Sequence, residues 1–307
     1  MKVYLNCTAN LGDFVQSLPV LSGLVKNYGK VDFIINRNEL YEFLNINKIK
    51  CRYEPCNHQG KTGPCAQAII DSGISNVYFA VSDPNKVATG GAKTLSSAGI
   101  QVSSGILQTE AAFANRAWLS SIEKARPYFI WKIATTLDGK SAAADGSSKW
   151  ITNEASRKYV AELRNQSDAI LVGTSTALND DPNLVSENKA LRIAVGNSAI
   201  PDNAKIKDAR APFLHHQSQD FASLIAKLNN RAIVSVLVEA GAKLGTALIK
   251  AGLIDELAIF TAPKILGAGN SIISDLGITN IENPLNLKHI ESQNFDGDLF
   301  NRYQVVH

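Results

Sequence analysis

Residues 235–256 read SVLVEAGAKLGTALIKAGLIDE, and this stretch decides the fold class of the second half of the chain. An apolar run ends at Glu239, which predicts a buried strand. Gly241 and Gly245 follow and flank the predicted start of a helix, GTALIKAG. Glycine lets a ligand approach the backbone, and the first N–H groups of a helix favour anions, so this turn suits a phosphate group. The spacing is not G-x-G-x-x-G, and an ordinary strand-to-helix turn is the competing interpretation.

The same alternation extends over the chain from Tyr128 onward. The predicted strands are YFIWKIA, DAILVG, LRIAVG, VSVLVE, DELAIFTAP and a final RYQVV. The predicted helices between them include NEASRKYVAELRNQ and FASLIAKLNN. Continuous apolar strands that alternate with helices indicate an α/β sheet covered on both faces.

Composition excludes several classes of protein. A chain of 307 residues suggests about two domains, and 45% hydrophobic with 19% charged residues is ordinary globular composition. A net charge of +3 is too small to indicate nucleic acid or an anionic membrane as partner. No apolar stretch approaches the roughly 18 residues of a membrane span. The opening MKVYLNCTANLGDF lacks the apolar core of a signal peptide, so we expect a cytoplasmic protein.

Two further loops carry candidate ligand-binding residues. The segment DAILVGTSTALNDDPNL places three hydroxyls after Gly173, followed by Asp180 and Asp181. These groups suit a phosphate or a ribose, although a helix followed by an Asp-Pro turn explains them equally. Trp150 lies in a predicted loop, where it either stacks on a planar ligand ring or covers the domain edge. Glu239, in turn, is either a solvated loop residue or a hydroxyl-binding acceptor.

Three ordered blocks between residues 128 and 267 resemble the reductase half of the bifunctional riboflavin-biosynthesis deaminase/reductase family. They are KIATTLDGKSAAADGSSKWIT, LRNQSDAILVGTSTALNDDPNL and VLVEAGAKLGTALIKAGLIDELAIFTAPKILG. Upstream, EPCNHQGKTGPC and AIIDSGISNVYFAVSDPN are similar to the rear part of that family's cytidine-deaminase-like zinc domain. The resemblance implies an α/β protein with a dihydrofolate-reductase-like C-terminal domain over 127–307, preceded by a partial deaminase-like α/β domain over 51–123.

The resemblance also implies an activity: NADPH-dependent reduction of 5-amino-6-(5-phosphoribosylamino)uracil to its ribitylamino product. The substrate is then a pyrimidine ribosyl phosphate, and a homodimer through the reductase domains is expected. No catalytic acid or base motif is visible. Matching positions assign substrate binding to Ser148, Arg164, Leu184 and Glu239. They assign the cofactor to Ala134, Trp150, Thr176, Asp180, Gly241, Ala242, Lys243, Leu244, Gly245, Thr246 and Ala247.

One position departs from the pattern of the reductase. The family usually places an arginine three residues after the leucine of its D-P-x-L motif, where it holds the substrate phosphate. In this chain DPNLVSEN puts Glu187 at that position. We expect a weakened or altered phosphate site, for which Lys189 and Arg192 are candidate replacement cations.

The deaminase-like part is incomplete. A zinc deaminase needs three ligands and a glutamate. The resemblance identifies Cys56 and Cys65 as two ligands, but the family's H-A-E motif is absent, and His58 is the only histidine before residue 215. Cys51 or His58 completing a structural zinc site is the alternative. The resemblance implies NADPH as the cofactor, and the sequence leaves the choice between NADPH and NADH open. The missing motif predicts no catalytic zinc and loss of deamination.

Three other functions stay open at this point. They are the full bifunctional enzyme with unexpected zinc ligands, a non-catalytic nucleotide-binding protein of the same fold, and a reductase of another pyrimidine-like or pterin-like substrate. Residues 1–50 read as a divergent βαβ segment, and NLGDFVQSLPVLSGL within it is similar to the opening of ADP-heptose-type glycosyltransferases. A splice or fusion near residue 50 explains that mixture and predicts poor packing of the segment against 51–115.

Overall fold

The computed structural model describes residues 2–5, 32–35, 48–59 and 63–306. The chain divides into two compact units, Met1–Glu123 and Lys124–His307. Strands β1 (Lys2–Leu5) and β2 (Asp32–Ile35) pair in parallel, as expected of a βαβ segment. The helix predicted between them, and the predicted packing of residues 1–50, lie outside the described residues.

The first unit contains a parallel sheet of three strands in the order β3-β4-β5. The strands are β3 (Lys48–Tyr53), β4 (Asn76–Val81) and β5 (Gln101–Ser104). The helices are α1 (Cys65–Asp71), α2 (Gly91–Ser97), α3 (Gln108–Ala114) and α4 (Arg116–Lys124), which runs into the second unit. Apolar side chains of β4, α1 and α2, such as Val77, Ile69 and Leu95, form a buried core. This is a small α/β layer, as the deaminase-like resemblance implies.

Glu54, in the EPC stretch, is a buried carboxylate with a structural role. Its Oε1 accepts hydrogen bonds from the N–H groups of Gly90 (3.1 Å) and Ala92 (2.9 Å) at the start of α2. A negative charge at a helix N-terminus satisfies unpaired N–H groups there. The glutamate of this motif therefore stabilises the local fold.

The second unit is built on an eight-stranded sheet in the order β10-β9-β8-β11-β6-β12-β15-β14. The first six strands are parallel, and β15 and β14 run antiparallel to their neighbours. The strands are β6 (Tyr128–Thr136), β8 (Ala169–Gly173), β9 (Leu191–Val195), β10 (Phe213–His216), β11 (Ser235–Val238), β12 (Ile254–Ala262), β14 (Leu287–Phe295) and β15 (Asp298–Val305). Strands β7 (Lys140–Ala142) and β13 (Asn270–Ser271) form a separate antiparallel pair.

Four helices and one short 3₁₀ turn connect these strands. They are α5 (Glu154–Asn165), α6 (Thr174–Asp180), the 3₁₀ turn Lys205–Lys207, α7 (Phe221–Asn229) and α8 (Ala242–Lys250). Helix α8 begins earlier than the sequence suggests: Gly241 is its N-cap and Gly245 lies inside it. Of the helices in the described ranges, none is both long and apolar enough to cross a bilayer.

The sheet buries apolar side chains on both faces, as its continuous apolar strands predict. On one face Trp131, Leu171 and Val238 pack with Leu224 of α7 and Leu248 of α8. On the opposite face Leu237, Phe260 and Phe300 pack with Leu163 of α5. Because side chains alternate along a strand, Lys132 and Ala134 of β6 lie on the α5 face.

Asp255, at the start of β12, forms hydrogen bonds with the first residues of this unit. Its carboxylate is 2% exposed and accepts hydrogen bonds from Lys124 Nζ (2.7 Å), Arg126 Nη1 (2.7 Å) and the Phe129 N–H (2.9 Å). A buried carboxylate with two cations and a backbone donor is fully compensated.

Candidate active site

The candidate site lies at the carboxyl ends of the parallel strands, where ligands of open α/β sheets bind. Strands β8 and β11 are neighbours, so helices α6 and α8, which follow them, begin side by side. A Cβ built on Gly173, the N-cap of α6, would lie 3.5 Å from Leu244 Cδ2 of α8. The two loops that the sequence analysis singled out therefore meet at one edge of the sheet.

A buried ion cluster marks this edge. Glu239 follows β11, and its backbone N–H donates to the Leu171 carbonyl (2.8 Å), which extends the sheet by one residue. Its side chain is 8% exposed and accepts from Arg164 Nε (2.5 Å) and Nη2 (2.9 Å). Lys132 Nζ lies 3.2 Å from Glu239 Oε2. Two residues assigned to the substrate, Arg164 and Glu239, are thus in direct contact.

The cluster keeps the glutamate ionised. Burial by itself raises the pKa of Glu239, but the charges of Lys132 and Arg164 outweigh it and lower that pKa to about 2. The same carboxylate raises the pKa of Arg164 against the effect of burial. At neutral pH the site therefore presents an ionised carboxylate, held between Lys132 and Arg164, that can accept hydrogen bonds.

Lys132 is a site residue that the sequence analysis missed. It lies in the middle of YFIWKIA, which was interpreted only as a buried strand. A lysine in an apolar strand was the available signal, because lysine is rarely buried without a partner. Ala134, assigned to the cofactor, is half-buried two residues later and on the same face of β6.

The turn between β11 and α8 suits an anionic ligand at its beginning. Gly241 is exposed, and a Cβ built there would meet no atom within 4 Å. Lys243, in the first turn of the helix, is exposed as well. Trp131 Nε1 donates to the Ala240 carbonyl (3.0 Å) and fixes the chain just before the turn. The first N–H groups of a nine-residue helix thus face open space, an arrangement that fits the phosphates of a dinucleotide.

The later part of the assigned run faces the core. A Cβ on Gly245 would lie 2.0 Å from Trp131 Cζ2, so packing against that ring explains this glycine. The neighbouring Thr246 is buried, and its Oγ1 accepts the Ser274 N–H (2.9 Å). Ala242, Leu244 and Ala247 are half-buried. The open side of α8 is therefore confined to its first turn.

The loop after β8 carries the other predicted cofactor residues. Thr176 is half-buried in α6 and Asp180, its last residue, is exposed. The carboxylate of Asp181 is engaged by Lys205. It accepts a hydrogen bond from the Lys205 N–H (2.9 Å), and Lys205 Nζ lies 3.2 Å from its Oδ2. Leu184, assigned to the substrate, is buried with a left-handed φ of 47°.

The Ser148–Trp150 loop is open to solvent. Ser148 is exposed, and Trp150 is 64% exposed. Lys264 Nζ donates to the carbonyls of Trp150 (2.9 Å) and Ile151 (2.7 Å), which anchors the loop. The guanidinium of Arg157 lies over the indole ring, 4.5 Å from its centroid. The tryptophan is accordingly held in place on one ring face by a cation.

The two candidate replacement cations for the phosphate site, Arg192 and Lys189, differ in how accessible they are to a ligand. Arg192 is fully buried, and its guanidinium donates to Asp208 Oδ1 (3.0 Å) and to four carbonyls, so it is not available to a ligand. Lys189 and Glu187 are exposed. The Glu187 N–H donates to Asn165 Oδ1 (2.9 Å), which places the backbone of this residue at the end of α5.

Residues 127–300 match the RibD C-terminal domain family. This chain belongs to the RibD family. Riboflavin biosynthesis protein RibD of Mycobacterium tuberculosis (strain H37Rv) is 41% identical over 241 residues, which cover 76% of this chain and 70% of that protein. RibD of Aquifex aeolicus is 36% identical over 282 residues, covering 81% and 79%.

Solved structures of RibD proteins agree with this assignment. The deaminase/5-amino-6-(5-phosphoribosylamino)uracil reductase of Thermotoga maritima superposes with a TM-score of 0.74 at 29% identity, covering 83% of this chain and 78% of that one. Acinetobacter baumannii RibD (form 1) gives a TM-score of 0.74 at 30% identity, covering 83% and 80%. The predicted family, the α/β fold of the second unit and the predicted role as a pyrimidine reductase of riboflavin biosynthesis are confirmed.

The metal ligands of a RibD deaminase are represented by two cysteines. The Cys65 N–H donates to Cys56 Sγ (3.4 Å), and neither of these two cysteines forms a disulfide. Burial, with a hydrogen bond to Cys56, raises the pKa of Cys65 to about 12. Over residues 48–59 and 63–306 and the two short strands before them, no three His, Cys, Asp or Glu side chains form a metal-binding group. These residues do not fit a catalytic zinc ion, which needs three protein ligands.

Proposed function

We propose that this chain reduces 5-amino-6-(5-phosphoribosylamino)uracil to its ribitylamino product with NADPH. The observation that carries the proposal is the ionised Glu239 carboxylate, held by Lys132 and Arg164 beside the open first turn of α8. The name of the Thermotoga maritima relative, which includes this reductase, supports the choice of substrate.

The cofactor is assigned to the edge formed by β6, α6 and α8. Its phosphates face the N–H groups that follow Gly241, with Lys243 as the neighbouring cation. Its ring system is assigned to Ala134, Thr176, Asp180 and Trp150. Gly245 and Thr246 contribute indirectly, because they hold α8 in position against Trp131 and Ser274. NADPH, when bound, supplies the hydride for the reaction.

We assign the substrate to the side of the ion cluster opposite the cofactor. Glu239 accepts hydrogen bonds from ring N–H or ribose hydroxyl groups, which a carboxylate with a low pKa does at all physiological pH values. Arg164 binds the phosphate group, with Ser148 as an additional donor. Leu184 is buried in the core beneath this region, so its contribution to the substrate site is indirect.

Reduction adds a hydride to C1 of the opened ribosyl imine and a proton to the imine nitrogen. Of the two cations on Glu239, only Lys132 can release a proton, because arginine stays charged. We assign Lys132 Nζ as the proton donor. Glu239 keeps the lysine charged and directed toward the site until the proton moves.

The test follows NADPH oxidation by its near-ultraviolet absorbance with the purified chain. The expected result is turnover of the deaminated ribosylamino-uracil phosphate and none of its undeaminated precursor. NADPH binding without oxidation of either compound would favour a non-catalytic nucleotide-binding protein. Turnover of another pyrimidine or pterin compound alone would favour a different reductase.

We also propose that the chain has no deaminase activity. Support comes from the two-cysteine site and from His58 being the only histidine before residue 215. The expected result is no ammonia release from the diaminopyrimidine precursor and less than stoichiometric zinc by elemental analysis. Ammonia release by a zinc-loaded preparation would establish the full bifunctional enzyme instead.

We further propose that the chain acts as a homodimer in the cytoplasm, with no nucleic-acid or membrane partner. The RibD relationship supports the dimer, and the net charge of +3 offers no basis for a polyanionic partner. Sedimentation velocity should give a species of twice the 33.1 kDa chain mass. A monomer at micromolar concentration would contradict the dimer.

A further inference from the structure

We propose that Arg157 is a second phosphate-binding residue of the substrate site and acts together with Arg164. This assignment rests on the proposed function, because it concerns the phosphate group of the same substrate. Arg157 carries no role in the reasoning from the sequence. Its position on α5, its contacts and its unpaired charge support the assignment.

Helix α5 presents Arg157 and Arg164 on one side. They are seven residues apart, which is close to two full turns and about 10 Å along the axis. Each follows a buried residue, Ser156 and Leu163 respectively, that packs toward the sheet. Arg164 reaches Glu239 from this side of the helix. The side chains of Arg157 and Arg164 therefore leave the helix in nearly the same direction, with Arg157 nearer its N-terminus.

The guanidinium of Arg157 is fixed next to the Ser148–Trp150 loop. It lies over the Trp150 ring at 4.5 Å, and its Nη1 donates to the Thr152 carbonyl (2.8 Å). In the parts of the chain that the structure describes, no carboxylate lies within ion-pair distance of it. Arg157 is thus a cation positioned against Trp150, two residues from the predicted substrate residue Ser148, and its charge acts on the exposed Glu154 without an ion-pair contact.

Charge balance at the site calls for such a cation. Both Nε and Nη2 of Arg164 donate to Glu239, and Lys132 pairs with the same carboxylate. Glu187 adds a further negative residue at the end of α5. A phosphate monoester carries close to two negative charges at neutral pH, and arginine binds it well through several N–H donors. Arg157 supplies the donors that Arg164 has committed to Glu239.

The test compares two ligands by calorimetry in the presence of NADP⁺: the phosphorylated ribitylamino product and the same compound after phosphatase treatment. For Arg157→Gln we expect the dissociation constant of the phosphorylated compound to rise roughly ten- to hundredfold, as for loss of one charged hydrogen-bonding group. The dephosphorylated compound should bind as it does to the unaltered chain. Arg157→Lys should retain part of the preference for phosphate.

Lys158→Gln is the matched control. Lys158 lies on the same helix, is exposed and pairs with Glu154, so its loss removes one positive charge away from the site. We expect no change in either dissociation constant for this variant.

Any of four results would overturn the assignment. An equal loss for both ligands would mean that Arg157 only holds Trp150, and an unchanged affinity for the phosphorylated compound would mean that it makes no contact. If the unaltered chain bound neither ligand, the proposed function would fail, and this assignment would fail with it. A folded Arg157→Lys variant without phosphate preference would also contradict the assignment.

Discussion

Arg164 Nε donates to Glu239 Oε1 over 2.5 Å, although the two residues are 75 positions apart in the chain. One lies on α5 and the other follows β11, so the pair forms only when helix and sheet have packed together. The pair is bidentate and largely buried, which makes it geometrically specific. The active site is therefore assembled by the same packing that builds the core.

Replacing Glu239 with glutamine should make stability depend differently on pH. The folded-state pKa of Glu239 is about 2, below its ordinary value of 4.5. The fold thus favours the ionised form, with a contribution on the order of 3 kcal/mol that is complete above about pH 5. This contribution disappears as the pH falls toward 2. Urea unfolding at several pH values should show a constant gap between the chain and Glu239→Gln above about pH 5 and a shrinking gap below.

Glu162→Gln serves as the control for that measurement, since Glu162 is exposed on α5. Its unfolding free energy should follow that of the unaltered chain at every pH. A gap for Glu239→Gln that stayed the same at pH 3 would contradict a low pKa for Glu239.

Replacing Lys132 separates its charge from its proton. Lys132→Gln should lower kcat by about a hundredfold or more, as expected for loss of a general acid. Lys132→Arg should keep the ion pair with Glu239 and a nearly unchanged KM, while kcat stays low because arginine does not release its proton. Steady-state kinetics measures both constants, and Lys250→Gln, at the exposed end of α8, is the control. Near-normal kcat in Lys132→Arg would remove the assigned proton donor.

Alanine substitution of the two glycines of the α8 turn should have different effects, one on stability and the other on cofactor binding. Gly245→Ala should lower the melting temperature, because its Cβ would lie 2.0 Å from the Trp131 ring and overpacking costs about 1–3 kcal/mol or more. Gly241→Ala meets open space and should cost only a few tenths of a kcal/mol, but it should raise KM for NADPH. Thermal unfolding and cofactor titration test the pair. A normal KM in Gly241→Ala would place the cofactor phosphates elsewhere.

Replacing Glu187 with arginine should strengthen substrate binding. The new guanidinium would extend from the end of α5, at the position where the family pattern has its phosphate-binding arginine, and one charged contact lowers KM by about tenfold or more. Glu162→Arg makes the same change of charge on a different side of α5 and should leave KM as it is. An unchanged KM in Glu187→Arg would show that this carboxylate does not weaken the phosphate site.

The apolar strands of the second unit were predictable from the sequence, whereas two edge strands were not. Strands β6, β8, β9, β11 and β12 are buried on both faces, so each is rich in apolar residues. Strand β14, with the sequence LKHIESQNF, lies at the sheet edge with most side chains exposed. Strand β10 is a four-residue edge strand that contains two histidines. Edge strands need no apolar pattern, because their pairing is through the backbone.

The site was predictable in its residue types but not in its contacts. The family resemblance identified Glu239 and Arg164 as substrate residues, yet no local pattern reveals that they form an ion pair with Lys132. Gly245 was interpreted as a point of ligand approach, whereas the ring of a distant tryptophan, Trp131, requires it. Arg192 was a candidate phosphate cation, but it is fully buried and its guanidinium is occupied by carbonyls of the neighbouring loops, which no residue pattern reveals.

Asp255 determines how the second unit can be separated from the first. The family match begins at residue 127, but the carboxylate of Asp255 is held by Lys124 and Arg126, which precede it. A fragment that started at residue 127 would leave this 2% exposed charge with the Phe129 N–H and no cation, a loss that costs about 3–5 kcal/mol. A self-sufficient reductase fragment therefore starts at Lys124, and the start of the matched C-terminal domain is not the boundary of the folding unit.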